Sequence, residues 1–158
     1  MIRILFVCTG NICRSPLAEG ILREKLRKKN IPAEIDSCGF ESFHVGDPPD
    51  SRAQSVAMRR GIDISAHRAR LFAPRDFERF DYIYAMDSSH FHNLMRLCRN
   101  GSDKVKVDYV LNALSPGQNL GVQDPWYHDL AAFEKVFVQL DAACDRIVAN
   151  LISETQEE

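Results

Sequence analysis

The chain has 158 residues, enough for one domain around one core. Hydrophobic residues make up 45%, and 20 Lys and Arg against 22 Asp and Glu leave a net charge of −2. That balance counts against a general nucleic-acid binder and against polybasic attachment to a membrane. No apolar run reaches bilayer-spanning length, and the first residues lack the pattern of a secretory signal. The five scattered cysteines (Cys8, Cys13, Cys38, Cys98 and Cys144) read as reduced thiols, so a cytoplasmic location is expected.

Residues 2–7 are apolar and read as a first strand. A polar loop, Cys8-Thr9-Gly10-Asn11-Ile12-Cys13-Arg14-Ser15-Pro16, follows it. Residues 16–29 carry Ala18, Ile21, Leu22 and Leu26 at helical spacing, with Ser15 in N-cap position, Pro16 in the first turn and Glu19 favouring the same helix end. A short second strand is expected at 34–38, then a loop over 39–49 rich in turn residues. Asp50 is placed to cap a helix at 51–60, which Gly61 ends. Residues 81–85 read as the third strand, and Asp87 as the cap of a helix running to about Arg99. A weaker fourth strand at 104–109 precedes a loop over 115–127. The last helix has the clearest period, through Phe133, Val136, Phe137, Leu140, Cys144, Ile147 and Leu151, before a polar, frayed end at Glu154, Glu157 and Glu158. Strands alternating with helices indicate a single α/β domain with a parallel sheet covered on both faces. Functional loops in such sheets lie at the carboxyl ends of strands, which is where Cys8 stands.

A phosphate needs many donors converging without side-chain bulk. A tight loop feeding a helix N-terminus supplies backbone N–H groups and the positive end of the helix dipole. Gly10 tolerates unusual dihedrals, and Asn11 tolerates left-handed ones. Thr9, Gly10, Asn11, Ile12, Cys13 and Arg14 are therefore expected to wrap one phosphate, with Arg14 as a bidentate clamp on two oxygens. The same field favours the thiolate of Cys8, and the Ser15 hydroxyl can hydrogen-bond that sulfur. A thiolate beneath a bound phosphoryl group is positioned for in-line attack. Singly, Cys8 would read as a small core residue and Arg14 as a solvent-facing one, but the constellation outweighs both. A Walker-type loop is excluded, because no Gly-Lys-Ser/Thr stands at the required spacing. A leaving group needs a proton, and Asp124-Pro125-Trp126-Tyr127 offers a loop carboxyl shielded by aromatics. Asp-Pro is often only a turn, so the residues alone leave both readings of Asp124 open. The side chains of His90 and His92 point in different directions on a helix and have no cysteine nearby in sequence, so neither a metal site nor a cofactor is expected.

At this point the chain resembles the low-molecular-weight protein tyrosine phosphatases. The likeness rests on Val7-Cys8-Thr9-Gly10-Asn11-Ile12-Cys13-Arg14-Ser15-Pro16 and on Asp124-Pro125-Trp126-Tyr127. Between them lie matching stretches at 45–50, 65–70 and 85–87. The resemblance implies a four-stranded parallel sheet with helices on both faces. It also implies a two-step, metal-free hydrolysis of phosphotyrosine and small aryl phosphates. Cys8 would become a cysteinyl phosphate, Arg14 would stabilise the phosphoryl group in transit, and Asp124 would act first as acid and then as base. By the same match Asn11, Ser15 and His67 hold the loop, Phe43 and His44 stand at the cleft rim, and Trp126 and Tyr127 form the opposite wall. Trp126 replaces the first of two tyrosines frequent in the family, so one expected phosphorylation site is absent. Cys13 reads either as a small buried side chain supporting the loop or as a redox partner of Cys8, and the resemblance favours the latter: a disulfide with Cys8 once peroxide has made the sulfenic acid. The partners expected are tyrosine-phosphorylated proteins or peptides, with the enzyme a monomer or weak dimer.

Three other readings compete. Protein arginine phosphatases share this loop but resemble it with a threonine at the place of Ile12, whose flat apolar surface suits a phenyl ring better. Thioredoxin-linked arsenate reductases carry a close pair of further cysteines, whereas Cys98 and Cys144 are far apart in sequence and lie on apolar helical patterns. A phosphate-binding module without catalysis gains nothing from a reactive thiol at Cys8.

Overall fold

The computed structural model describes residues 1–156. β1 (Ile2–Cys8) leads through the polar loop into α1 (Arg14–Lys28), followed by β2 (Ala33–Gly39) and a 3₁₀ turn at Ser42–His44. α2 (Ser51–Met58), α3 (Asp76–Arg79), β3 (Tyr82–Ala85), α4 (Ser88–Leu97), α5 (Gly101–Lys104) and β4 (Val107–Tyr109) come next. A second 3₁₀ turn at Val110–Ala113 and α6 (Leu130–Gln156) complete the chain. The four strands are parallel in the order β2-β1-β3-β4, with Val7 between Cys38 and Ala85. The chain leaves β1 toward β2 on one side and returns to β3 on the other. The order therefore reverses between β1 and β3, and the crevice beyond their carboxyl ends is the place such sheets use for ligands.

Strand alternation divides the core. Ile4, Phe6 and Cys8 face a cluster built with Leu17, Ile21 and Leu22 of α1 and Phe133, Phe137 and Leu140 of α6. Leu5 and Val7 face the other way, onto Phe77, Phe80 and Leu94. Residues 4–7 are wholly buried, as a central parallel strand requires. The seven periodic positions of the last helix are all buried.

Several local expectations are corrected. Ser15 is not the N-cap of α1: Cys13 occupies that place without a side-chain bond, and the helix starts at Arg14. The Ser15 hydroxyl is instead turned into the site. Glu19 does not serve the helix dipole; it is buried one and a half turns in and bonded to Arg23 and Ser37. Residues 104–106 are not strand, because Asn100 caps a short helix with its side chain on the Asp103 amide, and β4 begins only at Val107. α3 carried no periodic signal, being a single turn wedged before β3. Asp50 and Asp87 cap α2 and α4 through the amides of Arg52 and of Ser89 and His90. At the far end Glu154 is helical and accepts a hydrogen bond from Tyr82, rather than fraying, while Glu157 and Glu158 lie outside the described residues.

Candidate active site

The loop between β1 and α1 surrounds one sulfur. Cys8 ends β1 at 2% exposure. The backbone N–H groups of residues 10–14 donate no hydrogen bond to any group among the described residues. An uninterrupted row of unpaired donors at a helix N-terminus is what an oxyanion needs. Asn11 takes φ 59°, the left-handed value its residue type tolerates.

That strained asparagine is pinned on every polar atom. Its Oδ1 accepts from the Arg70 amide at 3.0 Å and pairs with His67 Nε2 at 3.1 Å. Its Nδ2 donates to Ser15 Oγ at 2.8 Å and to Ser37 Oγ at 2.9 Å. Ser37 donates onward to Glu19 Oε1 at 2.7 Å. Burial works against the Glu19 carboxylate, but His67, Arg23 and Ser37 outweigh it and hold its pKa below the ordinary range. Because Ser15 already accepts from Asn11, its own proton is free to point at Cys8 Sγ, 2.9 Å away; the Cys38 carbonyl at 3.5 Å is the poorer acceptor.

Arg14 is equally constrained. Its side chain is 3% exposed, with Nη1 on Asp87 Oδ2 at 2.9 Å and on the Val122 carbonyl at 2.8 Å. Nη2 lies 3.4 Å from Thr9 Oγ1 and 3.7 Å from Asp124 Oδ2. Burial opposes the Asp87 carboxylate, yet Ser89, His90 and Arg14 bring its pKa down to about 2. His90, 2% exposed, sits behind them with Nε2 2.8 Å from Thr9 Oγ1. Its Nδ1 lies 3.2 Å from Asp87 Oδ1 but without hydrogen-bond geometry, and it has no other partner among the described residues. Burial, reinforced by Arg14, pushes its pKa down to about 4 against the pull of Asp87, so the ring is neutral near pH 7.

The loop opens into a cleft of about 470 Å³ lined by Cys8, Ile12, Arg14, Phe43, Asp124 and Trp126, among others. Thr9, Gly10, Cys13, His44 and Tyr127 also reach it. Phe43 and Tyr127 stand out into solvent at 85% and 89% exposure. Phe43 meets His44 edge-on at 4.8 Å, and His44 meets Trp126 edge-on at 5.4 Å, so the two sides of the cleft touch. Asp124 is nearly half exposed, and its Oδ1 accepts from the Trp126 amide at 3.0 Å. Cys13 is buried within the loop, and burial, with Asp50 and Cys8 adding to it, pushes its thiol pKa up.

All the residues singled out from the sequence thus reach one cleft or its supporting shell. Asp87, His90, Ser37 and Glu19 were missed as site residues. Asp87 was read as a cap and His90 as half of a failed metal pair; each belongs to an element remote in sequence from the loop it touches. His92 is exposed and does not line the cleft. Glu19, Asp36 and His67 bring three ligand atoms within 4.8 Å of one another. Each is already engaged: Glu19 by Arg23 and Ser37, Asp36 by Arg70, and His67 by Asn11, which makes the cluster a brace for the loop rather than an ion cage.

A family model described as low molecular weight phosphotyrosine protein phosphatase matches residues 3–157. The low molecular weight phosphotyrosine protein phosphatase of Schizosaccharomyces pombe is 43% identical over 88% of this chain and 90% of its own. A protein tyrosine phosphatase structure from Entamoeba histolytica superposes with a TM-score of 0.91 at 31% identity, covering 98% of this chain and 99% of that one. A Drosophila arginine phosphatase structure superposes with a TM-score of 0.88 at 30% identity, over 95% of this chain and 98% of its own.

Proposed function

Since the chain belongs to the low molecular weight phosphotyrosine protein phosphatase family, we propose that it hydrolyses phosphotyrosine in proteins or peptides through a cysteinyl-phosphate intermediate. The observation that carries this reading is the set of unpaired loop amides and the braced Arg14 converging around one buried sulfur.

The phosphoryl oxygens take the amides of residues 10–14 and the Arg14 guanidinium, while Cys8 Sγ lies beneath the phosphorus. Sγ attacks as the phenolate leaves on the opposite side, and Asp124 protonates that oxygen. The amides and Arg14, held in place beforehand, stabilise charge on the transferring group without reorganising. A water then attacks the cysteinyl phosphate, Asp124 takes its proton, and the thiolate leaves toward the Ser15 hydroxyl. Ile12 and the aromatic rim supply apolar contact for a phenyl ring. In the same proposal the enzyme works in the cytoplasm, as a monomer or weak dimer, without metal or cofactor.

The likeness to an arginine phosphatase favours a second reading, phosphoarginine as substrate, which Ile12 opposes. Initial rates on matched phosphotyrosine and phosphoarginine peptides decide between them. The tyrosine peptide is expected to react at least about tenfold faster, the order that apolar pocket contacts can discriminate. A reversed preference overturns the assignment. Cys8→Ser is expected to lower kcat by more than about 10⁴-fold while still binding phosphotyrosine, and retained turnover would refute a nucleophilic Cys8.

A further inference from the structure

We propose that Arg52 is the positioning residue for the proton-transfer step: it locks the Asp124 loop to the phosphate loop, so that the acid stands at a fixed distance from the sulfur. The inference rests on the phosphatase reading above and concerns a side chain on α2, outside the cleft lining.

The Asp124 carboxylate lies 3.7 Å from Arg14 Nη2 and the adjacent Val122 is hydrogen-bonded to Arg14 and Met86, but beyond Val122 the stretch has few hydrogen-bonded anchors. Within residues 123–128, the Trp126 amide bonds Asp124 Oδ1, the His128 amide bonds the Pro125 carbonyl, and the Gln123 and His128 side chains meet. All of these are internal. Among the described residues, the hydrogen bonds tying this stretch to the rest of the molecule both come from Arg52. Nη1 donates to the His128 carbonyl at 2.8 Å, and Nη2 donates to the Trp126 carbonyl at 3.1 Å. Its guanidinium carbon also sits 4.4 Å from the ring centroid of the buried Phe133 and 5.7 Å from that of Trp126.

The other half of the guanidinium faces the phosphate loop. Nε and Nη2 donate to the two Asp50 carboxylate oxygens, each at 3.0 Å. The Asp50 amide donates to the Ile12 carbonyl at 2.8 Å. Burial opposes the Asp50 carboxylate, but the Arg52 hydrogen bonds outweigh it and keep it ionised. A continuous chain therefore runs from Ile12 through Asp50 and Arg52 to the Trp126 carbonyl. The amide of the same Trp126 holds the Asp124 carboxylate. Only a planar fork can serve a bidentate carboxylate and two carbonyls at once; an ammonium cannot.

Such a residue should act on the acid and not on phosphate binding. The test measures kcat/KM for aryl phosphates whose phenols range in acidity from activated to tyrosine-like. The proteins compared are the parent, Arg52→Met, Arg52→Lys, Asp124→Asn and the Arg52→Met/Asp124→Asn double variant. In the parent the rate should depend weakly on the leaving group. In Arg52→Met it should fall about tenfold or more for the least acidic phenols and about twofold or less for the most activated, because a small misplacement of an acid costs that much. Arg52→Lys should behave like Arg52→Met. The double variant should lose no more than Asp124→Asn alone, since Arg52 acts through Asp124. Inhibition constants for inorganic phosphate should stay within about twofold of the parent, which separates positioning from misfolding. Equal losses across all leaving groups, or additive losses in the double variant, would overturn the role of Arg52. A leaving-group profile unchanged in Asp124→Asn would instead overturn Asp124 as the acid.

Discussion

Ser15 receives a hydrogen bond from Asn11 and so has its proton left for Cys8 Sγ. That direction of donation leaves the hydroxyl placed to donate to the sulfur as it departs from the phosphoryl group. Ser15→Ala should therefore slow the second step most. Phosphoenzyme should accumulate in rapid-quench experiments, and kcat should fall about a hundredfold to a thousandfold, as for loss of one preorganised donor. An unchanged kcat would leave the hydroxyl with a packing role alone. Cys13 poses a different question at the same scale. Its buried thiol is held in the protonated form, so attack on a sulfenic Cys8 should be slow at neutral pH and faster as pH rises. Mass spectrometry after mild peroxide is expected to find Cys8 joined to Cys13. A sulfinic Cys8 beside a free Cys13 would reject the protective disulfide.

At the scale of elements, the site is a meeting of ends. The end of β1 brings Cys8, the start of α1 brings Arg14, and the start of α4 brings Asp87, whose one carboxylate caps the helix and aims the arginine. Asp87→Ala should cost about 1 kcal/mol for the lost cap, read from urea denaturation, and should also lower kcat by releasing Arg14. Asp87→Asn, which keeps an acceptor for the cap, should recover stability more than activity. The end of β2 matters by what it lacks. A Cβ on Gly39 would stand 2.5 Å from the Thr9 carbonyl oxygen and 3.1 Å from the Asn11 amide nitrogen. Gly39→Ala is thus expected to displace the phosphate loop and weaken inhibition by inorganic phosphate, while far-UV circular dichroism stays unchanged. These contacts were invisible in the sequence because each joins residues separated by an entire strand–helix unit.

For the whole molecule, the buried pair behind the loop sets a pH dependence of stability. His90 has a folded pKa of about 4 against an ordinary value of 6.5, so between those values the unfolded chain binds the additional proton. Stability should fall as pH drops from 6.5 toward 4, by on the order of 3 kcal/mol in full. Asp87, held to about 2, then loses its contribution below the ordinary carboxylate pKa of 3.8 as pH falls toward 2. Urea midpoints at several pH values should show the first decline in the parent and a flatter profile in His90→Gln. A parent profile flat from pH 7 to 4.5 would mean the ring is not held neutral. On the same scale, the five cysteines are free thiols, and among the described residues no helix is long and apolar enough to cross a membrane.

The sequence by itself determined the alternation of strands and helices, the faces that are buried, and the loop that carries Cys8 and Arg14. These are local properties: periodicity, capping residues and the tolerance of Gly10 and Asn11 for unusual dihedrals all act within a few neighbours. It also placed Asp124 on a loop but could not say what faced it. The Ser15 contact with Cys8 was legible in the loop itself, and only the N-cap reading of Ser15 failed; that Glu19 and Ser37 brace Asn11, that His90 stands behind Thr9, and that Arg52 spans the phosphate and acid loops emerged only in three dimensions. The physical reason is that most buried polar atoms find a partner, and where strand order reverses between β1 and β3 those partners come from segments far away along the chain.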